Sequence, residues 1–221
     1  MATATTKRSL SPVVLIIGVV AAIVIAAAVI AVVAGGGGDS ADAPEAVAET
    51  FDVTVKGSPL PPFADGGSDS AVGMMAPALL GSSFDQSPRV VDPAAGTPQL
   101  VVFLAHWCPA CNQEVPELVK WAESGRIPAN LKLSAVSTGV REGSANYPPS
   151  RWIVKRNWPT DTWPVMADSP NSDAGNAYGV RSYPSSIIIG SDGRVLARHS
   201  GVLGLAAYEA WVASALALDA A

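Results

Sequence analysis

The run Leu100-Val101-Val102-Phe103-Leu104-Ala105 constrains this chain more than any other stretch: six apolar residues without a charge, followed at once by His106-Trp107-Cys108-Pro109-Ala110-Cys111. A short apolar run stopped by a turn reads as a strand buried on both faces. Beyond the turn the period changes. Val115, Leu118, Val119 and Ala122 recur at i, i+3, i+4 and i+7, an amphipathic helix, and Gly125 and Pro128 supply its stop signals. With Cys108 capping that helix, Pro109 takes the first helical position, where a missing N–H costs nothing. The next amides, that of Cys111 among them, then point at the Cys108 sulfur. Those donors and the helix dipole favour a thiolate, so Cys108 is expected to ionise below the free-cysteine value of about 8.5. Cys111 lies one turn inside, shielded and within bridging reach. Cys108 is therefore the expected attacking sulfur and Cys111 the resolving one.

The chain's two cysteines both fall in this motif. A bridge closing so short a loop removes little entropy from the unfolded chain and is a poor staple. Zinc needs about four ligands, and the only other soft donors are His106 and His199; covalent haem would need histidine at position 112, which is Asn112. The reading is a redox pair with no metal and no cofactor beyond a Cys108–Cys111 disulfide.

Trp107-Cys108-Pro109-Ala110-Cys111 after a buried strand, continued through Glu114 and Pro116 as Cys-x-x-Glu-x-Pro, resembles the thioredoxin superfamily, and more narrowly its membrane-anchored TlpA/ResA/DsbE-like branch. Tyr178-Gly179-Val180-Arg181-Ser182-Tyr183-Pro184, running into Ser185-Ser186-Ile187-Ile188-Ile189, resembles the family loop in which a cis-proline faces the disulfide. The likeness covers roughly residues 76 to 217. It implies a thioredoxin-like α/β three-layer sandwich with a mixed central sheet. It also implies a substrate groove at Trp107, Pro109, Ala110, Tyr183 and Pro184. A cis bond before Pro184 turns the chain so that the Tyr183 backbone can pair with an extended partner. Tyr183 is bulkier than the residues common at that place, which narrows the choice of partner.

Glu114 lies three residues after Cys111 and four before Leu118, at the edge of the buried stripe and beyond the first turn, where the helix dipole explains little. Family members often hold a buried acid on the strand entering the motif; this chain has Val102 there. Glu114 is therefore expected to exchange a proton with the Cys111 thiol, its own pKa raised by burial. Trp107 is expected to form an apolar lip. His106 reads as a solvated rim histidine.

Upstream, Val13 to Ala34 form an apolar run which as a helix would span about 33 Å, the thickness of a bilayer core, and which exceeds a signal-peptide h-region. Lys7 and Arg8 precede it, and all 19 acidic residues follow from Asp39 on. That asymmetry predicts a single-pass cell-membrane protein with residues 1–12 cytoplasmic, a helix at 13–34 in contact with lipid, and an extracytoplasmic domain. Ala41-Asp42-Ala43 leaves the alternative of a cleaved signal. Residues 35–50 read as a flexible linker and 51–221 as one domain with an N-terminal strand and hairpin extension. Within it the pattern predicts a strand over 51–56, a hairpin over 84–91, strands over 131–136 and 163–167, and a helix over 151–157. A hairpin over 187–197 and a closing helix bearing Leu205, Tyr208, Val212, Ala215 and Leu216 follow.

The net charge of −5 argues against nucleic acid as a partner. The expected activity is thiol–disulfide exchange with protein thiols and disulfides, coupled to a membrane electron donor or acceptor. The resemblance implies a reductase, in cytochrome c maturation. A disulfide-forming oxidant of the same fold and a non-enzymatic thiolate metal carrier are the alternatives.

Overall fold

The computed structural model describes residues 48–64 and 68–219. Its elements run β1 (Thr54–Lys56), β2 (Ala78–Ser82), β3 (Pro88–Val91), β4 (Gln99–Leu104), α1 (Pro109–Glu123), β5 (Lys132–Ser137), α2 (Pro149–Lys155), β6 (Val165–Ala167), α3 (Asp173–Ala177), β7 (Ser185–Ile189), β8 (Val195–Ser200) and α4 (Leu205–Asp219). All six residues of β4 are buried, as its lack of charge predicts. Strand side chains alternate, so Leu100, Val102 and Leu104 enter one core while Val101 and Phe103 enter a second on the opposite face.

α1 carries the chain from β4 to β5, and the two strands are parallel, with Leu100 opposite Leu133 and Leu104 opposite Ser137. β7 lies antiparallel on the other side of β4, with Val101 opposite Ile187 and Phe103 opposite Ser185. The sheet order is β1-β2-β6-β5-β4-β7-β8, with β3 on the free edge of β2. This is the mixed α/β sheet of a thioredoxin-like fold. Over the first face pack residues of α1, α2 and α4, joined by an aromatic cluster of Trp121, Trp163 and Tyr208. The Tyr208 hydroxyl also bonds Ser186 Oγ of β7 at 2.7 Å.

Over the second face lie α3 and residues 60–64 and 68–79, with Leu60, Ala71, Ala76 and Leu79 buried against Phe103, Tyr178 and Ile187. Backbone bonds from Leu60 to Ala177 (2.8 Å) and from Phe63 to Gly179 (3.0 Å) fix this extension. Gly179 sits at φ +69°, and a Cβ there would come within 2.2 Å of the Pro61 carbonyl oxygen, so the approach requires glycine. Buried Arg198 of β8 pins the same segment. It pairs with Asp69 and donates to the carbonyls of Pro61 (2.9 Å) and Tyr178 (3.1 Å).

The hairpin expected over 84–91 is displaced. Its first strand is β2, and the turn is Ser83–Ser87, closed by Ser83 N–H to Ser87 O at 2.9 Å. Gly81 and Ser82 belong to this strand, where Met166 and Val53 crowd the space a Cβ on residue 81 would need. The helix at α2 starts two residues before the expected 151, since Pro149 supplies its first turn. The short helix α3 carries no apolar period and was not foreseen. The flexible linker expected over 35–50 is not free at its end: Glu49 is buried, its carboxylate accepting from Ser150 N–H (2.8 Å) and Oγ–H (2.6 Å) at the start of α2. The run 13–34 and its reading as a membrane anchor lie outside the described residues. Among the described residues no helix is long and apolar enough to cross a membrane.

Arg198→Ala should destabilise the domain by about 3–5 kcal/mol, because Asp69 and two carbonyls lose a buried partner together. Urea unfolding followed by tryptophan fluorescence measures it, with Lys120→Ala, at an exposed helical ion pair, expected to change little.

Candidate active site

α1 begins at Pro109, and Cys108 is its N-cap in extended geometry (φ −75°, ψ 121°), as the sequence predicts. The Cys108 Sγ accepts from Cys111 N–H at 3.4 Å. It also donates to the carbonyl of Tyr183 at 3.2 Å, and the Tyr183–Pro184 bond is cis. The loop before β7 therefore lies against the cysteine pair. Both cysteines are free thiols; Cys111 is fully buried, Cys108 is 7% exposed. Pro109 is exposed and Ala110 half-buried beside it. Burial pushes the Cys111 thiol far above the cysteine range, and the nearby charges of Cys108 and Glu114 push it further.

Glu114 is 1% exposed, and its Oε2 accepts from Leu203 N–H, in the loop before α4, at 3.2 Å. Burial raises its carboxyl above the ordinary range, opposed by backbone donors at Leu203 and Gly204. An acid held one helical turn from a buried thiol, its carboxyl raised above the ordinary range, becomes a base closer in proton affinity to that thiol once it ionises.

Trp107 is half-buried in the wall of the cleft beside Cys108. Its indole donates to the Gly139 carbonyl at 2.7 Å and meets the Tyr183 ring edge-on at 5.9 Å. The Arg141 guanidinium stacks 3.7 Å from the centre of the Trp107 ring.

His106 corrects the reading of a solvated rim histidine: it is completely buried. Its Nδ1 lies 2.9 Å from the Ala145 carbonyl, and its Nε2 accepts from Arg141 N–H at 3.2 Å. That pair of partners requires the neutral ring with the proton on Nδ1. The His106 carbonyl accepts from Asn146 Nδ2 at 3.0 Å, so ring and backbone both hold the loop 139–147 over the site. Burial lowers the imidazole pKa. Asn112 is a second polar hub: its Nδ2 donates to the Cys108 carbonyl at 2.9 Å, and its Oδ1 accepts from Trp152 Nε1 at 2.9 Å and from Arg156. Neither Asn112 nor Arg141 was singled out as a site residue from sequence. Asn112 carries a faint signal, a short polar side chain in the first turn of a helix with an otherwise apolar inner face. No group of three or more His, Cys, Asp or Glu side chains arranged to hold a metal occurs among the described residues.

The family model described as Redoxin matches residues 56–210. A thiol:disulfide interchange protein DsbE homolog from Paracoccus denitrificans is 28% identical over 134 residues, covering 60% of this chain and 68% of that protein. The thiol:disulfide interchange protein CycY from Rhizobium leguminosarum is 30% identical over 115 residues, covering 52% of this chain and 56% of that one. The crystal structure of StoA from Bacillus subtilis superposes with a TM-score of 0.51 at 18% identity, over 64% of this chain and 98% of that one, a likeness of fold.

Because folding depresses the His106 pKa, its contribution to stability is complete above about pH 6.5 and is lost as the pH falls through the folded value. His106→Leu should remove this acid-side slope and cost about 1–3 kcal/mol at neutral pH by leaving Ala145 O and Arg141 N–H without their partner. Thermal melts of both proteins between pH 5 and 8 read out both effects.

Proposed function

The chain belongs to the Redoxin family and is a thioredoxin-like thiol–disulfide oxidoreductase of the DsbE/CycY type, and on that premise we propose that it is an extracytoplasmic reductant of protein disulfides, acting in cytochrome c maturation. The observation that carries the reading is the Cys108 sulfur at the head of α1, in contact with both the Cys111 amide and the Tyr183 carbonyl. Cys108, as thiolate, attacks one sulfur of the partner disulfide; that S–S bond breaks, and the other partner sulfur leaves as a thiolate that takes up a proton. Cys111 then gives its proton to Glu114 and attacks the Cys108 sulfur, expelling the second partner thiolate. Two electrons pass from the Cys108–Cys111 dithiol to the partner, and the disulfide left behind is re-reduced by a membrane-bound dithiol donor.

The direction is argued from the surroundings of the sulfurs. Strong oxidants of this fold depend on extra stabilisation of their reduced form. Here Cys108 donates to a carbonyl, a contact open only to the protonated thiol, and Cys111 is buried near an acid. Burial beside that acid disfavours a thiolate at Cys111, so the dithiol lacks that stabilisation. The extracytoplasmic placement is supported by Lys7 and Arg8 before the apolar run and the acids after it. On this reading Trp107, Pro109, Ala110 and the Tyr183–Pro184 backbone form the groove that receives the partner strand.

Replacing Cys111 by Ala should stop the reaction at the mixed disulfide and give a partner adduct stable on non-reducing gels. Absence of any adduct from an extracytoplasmic extract, together with no reduction of insulin by the native chain, defeats the proposal. Glu114→Gln should slow the resolving step by roughly 10²-fold. The native rate rises with pH as Glu114 ionises, above the ordinary carboxylate range because burial raises its pKa; the variant should lack that limb in stopped-flow pH profiles.

A further inference from the structure

We infer that this site selects partner disulfides flanked by aspartate or glutamate, with Arg141 and Arg181 as the residues that read the charge; this rests on the exchange activity proposed above. A cleft of about 540 Å³ opens beside Cys108, with Trp107, Arg141, Ser172, Arg181 and Tyr183 in its walls. Both arginines are exposed, and neither forms an ion pair among the described residues. Of the acids around the cleft, Asp168 is buried and accepts from the Ser169, Ala174 and Gly175 amides, Asp173 accepts from Ser169 Oγ, and exposed Glu142, next to Arg141 in the chain, forms no ion pair with it. In a chain of net charge −5, two unpaired cations on the walls of the cleft that holds the reactive sulfur run against the overall field.

Arg141 is also prepositioned. Its backbone N–H is held by the buried His106 ring and its guanidinium by the Trp107 face, so little conformational freedom remains to be lost when a carboxylate arrives. Arg181 donates from its Nη1 to Asn176 Oδ1, another residue lining the cleft, at 3.5 Å. A partner strand lying along the Tyr183–Pro184 backbone passes between the two walls. Carboxylates on either side of its cysteine then meet a guanidinium, while lysines there are repelled.

The test uses the full-length chain in its dithiol form, in single turnover, against two synthetic peptides that carry the same internal disulfide flanked by glutamates or by lysines. The uncharged bis(2-hydroxyethyl) disulfide is the third substrate. The glutamate peptide should react about tenfold faster at low ionic strength, and the gap should narrow several-fold near about 0.5 M salt. Arg141→Glu combined with Arg181→Glu should invert the preference. Equal rates for the two peptides in the native chain, or a preference that survives the double reversal, overturn the inference while leaving the exchange activity in place. If the native chain fails with all three disulfides, the exchange activity itself is wrong and the inference falls with it.

Discussion

The pairing of β4 with β7 is the constraint on which the site depends. Phe103 stands opposite Ser185, so the residues just before β7, Tyr183 and Pro184, are delivered beside the residues just after β4, which lead to Cys108. A slip of one residue would turn every β4 side chain to the wrong face, moving Val101 and Phe103 into the core built for Leu100, Val102 and Leu104. Two filled cores therefore hold the register, and the register holds the Tyr183 carbonyl at the sulfur. The chemistry at Cys108 is in this sense a property of the whole sheet.

Around that point the polar groups divide the labour. Cys111 and Glu114 are buried acids, and burial raises the carboxyl toward the thiol in proton affinity. His106 and Asn112 tie the head of α1 to the loop 139–147 and to α2. His106 is buried, Asn112 half-buried, and both are hydrogen-bonded at both ends of their side chains, which stiffens the rim they hold despite its being loop.

What could be read from sequence was local in origin. The uncharged run, the Pro109 position, the helical period and the placing of Glu114 each depend on neighbours within a turn or two, and β4, α1 and the Cys108 cap follow from them. The cis bond before Pro184 was legible only through the family resemblance, since a loop proline alone does not announce its isomer. His106 was misread because its burial comes from Arg141 and Ala145, more than thirty residues away, folding over it. The start of the first hairpin was misplaced for a related reason: its first strand runs through Gly81 and Ser82, and Ser82 pairs with Ala167 of a strand far along the chain.

Residues 60–64 and 68–79 bear on what counts as the minimal fold. They close over Phe103, Tyr178 and Ile187 and are bolted by Arg198, while the Tyr178 hydroxyl reaches back to the Pro77 carbonyl at 2.8 Å. A chain trimmed to begin at β4 would keep every residue of the cysteine motif and yet leave one side of its sheet wet. The stretch ahead of the motif is thus half of the wall against which the reactive turn is braced, and swapping the motif into a shorter relative would not carry its properties along.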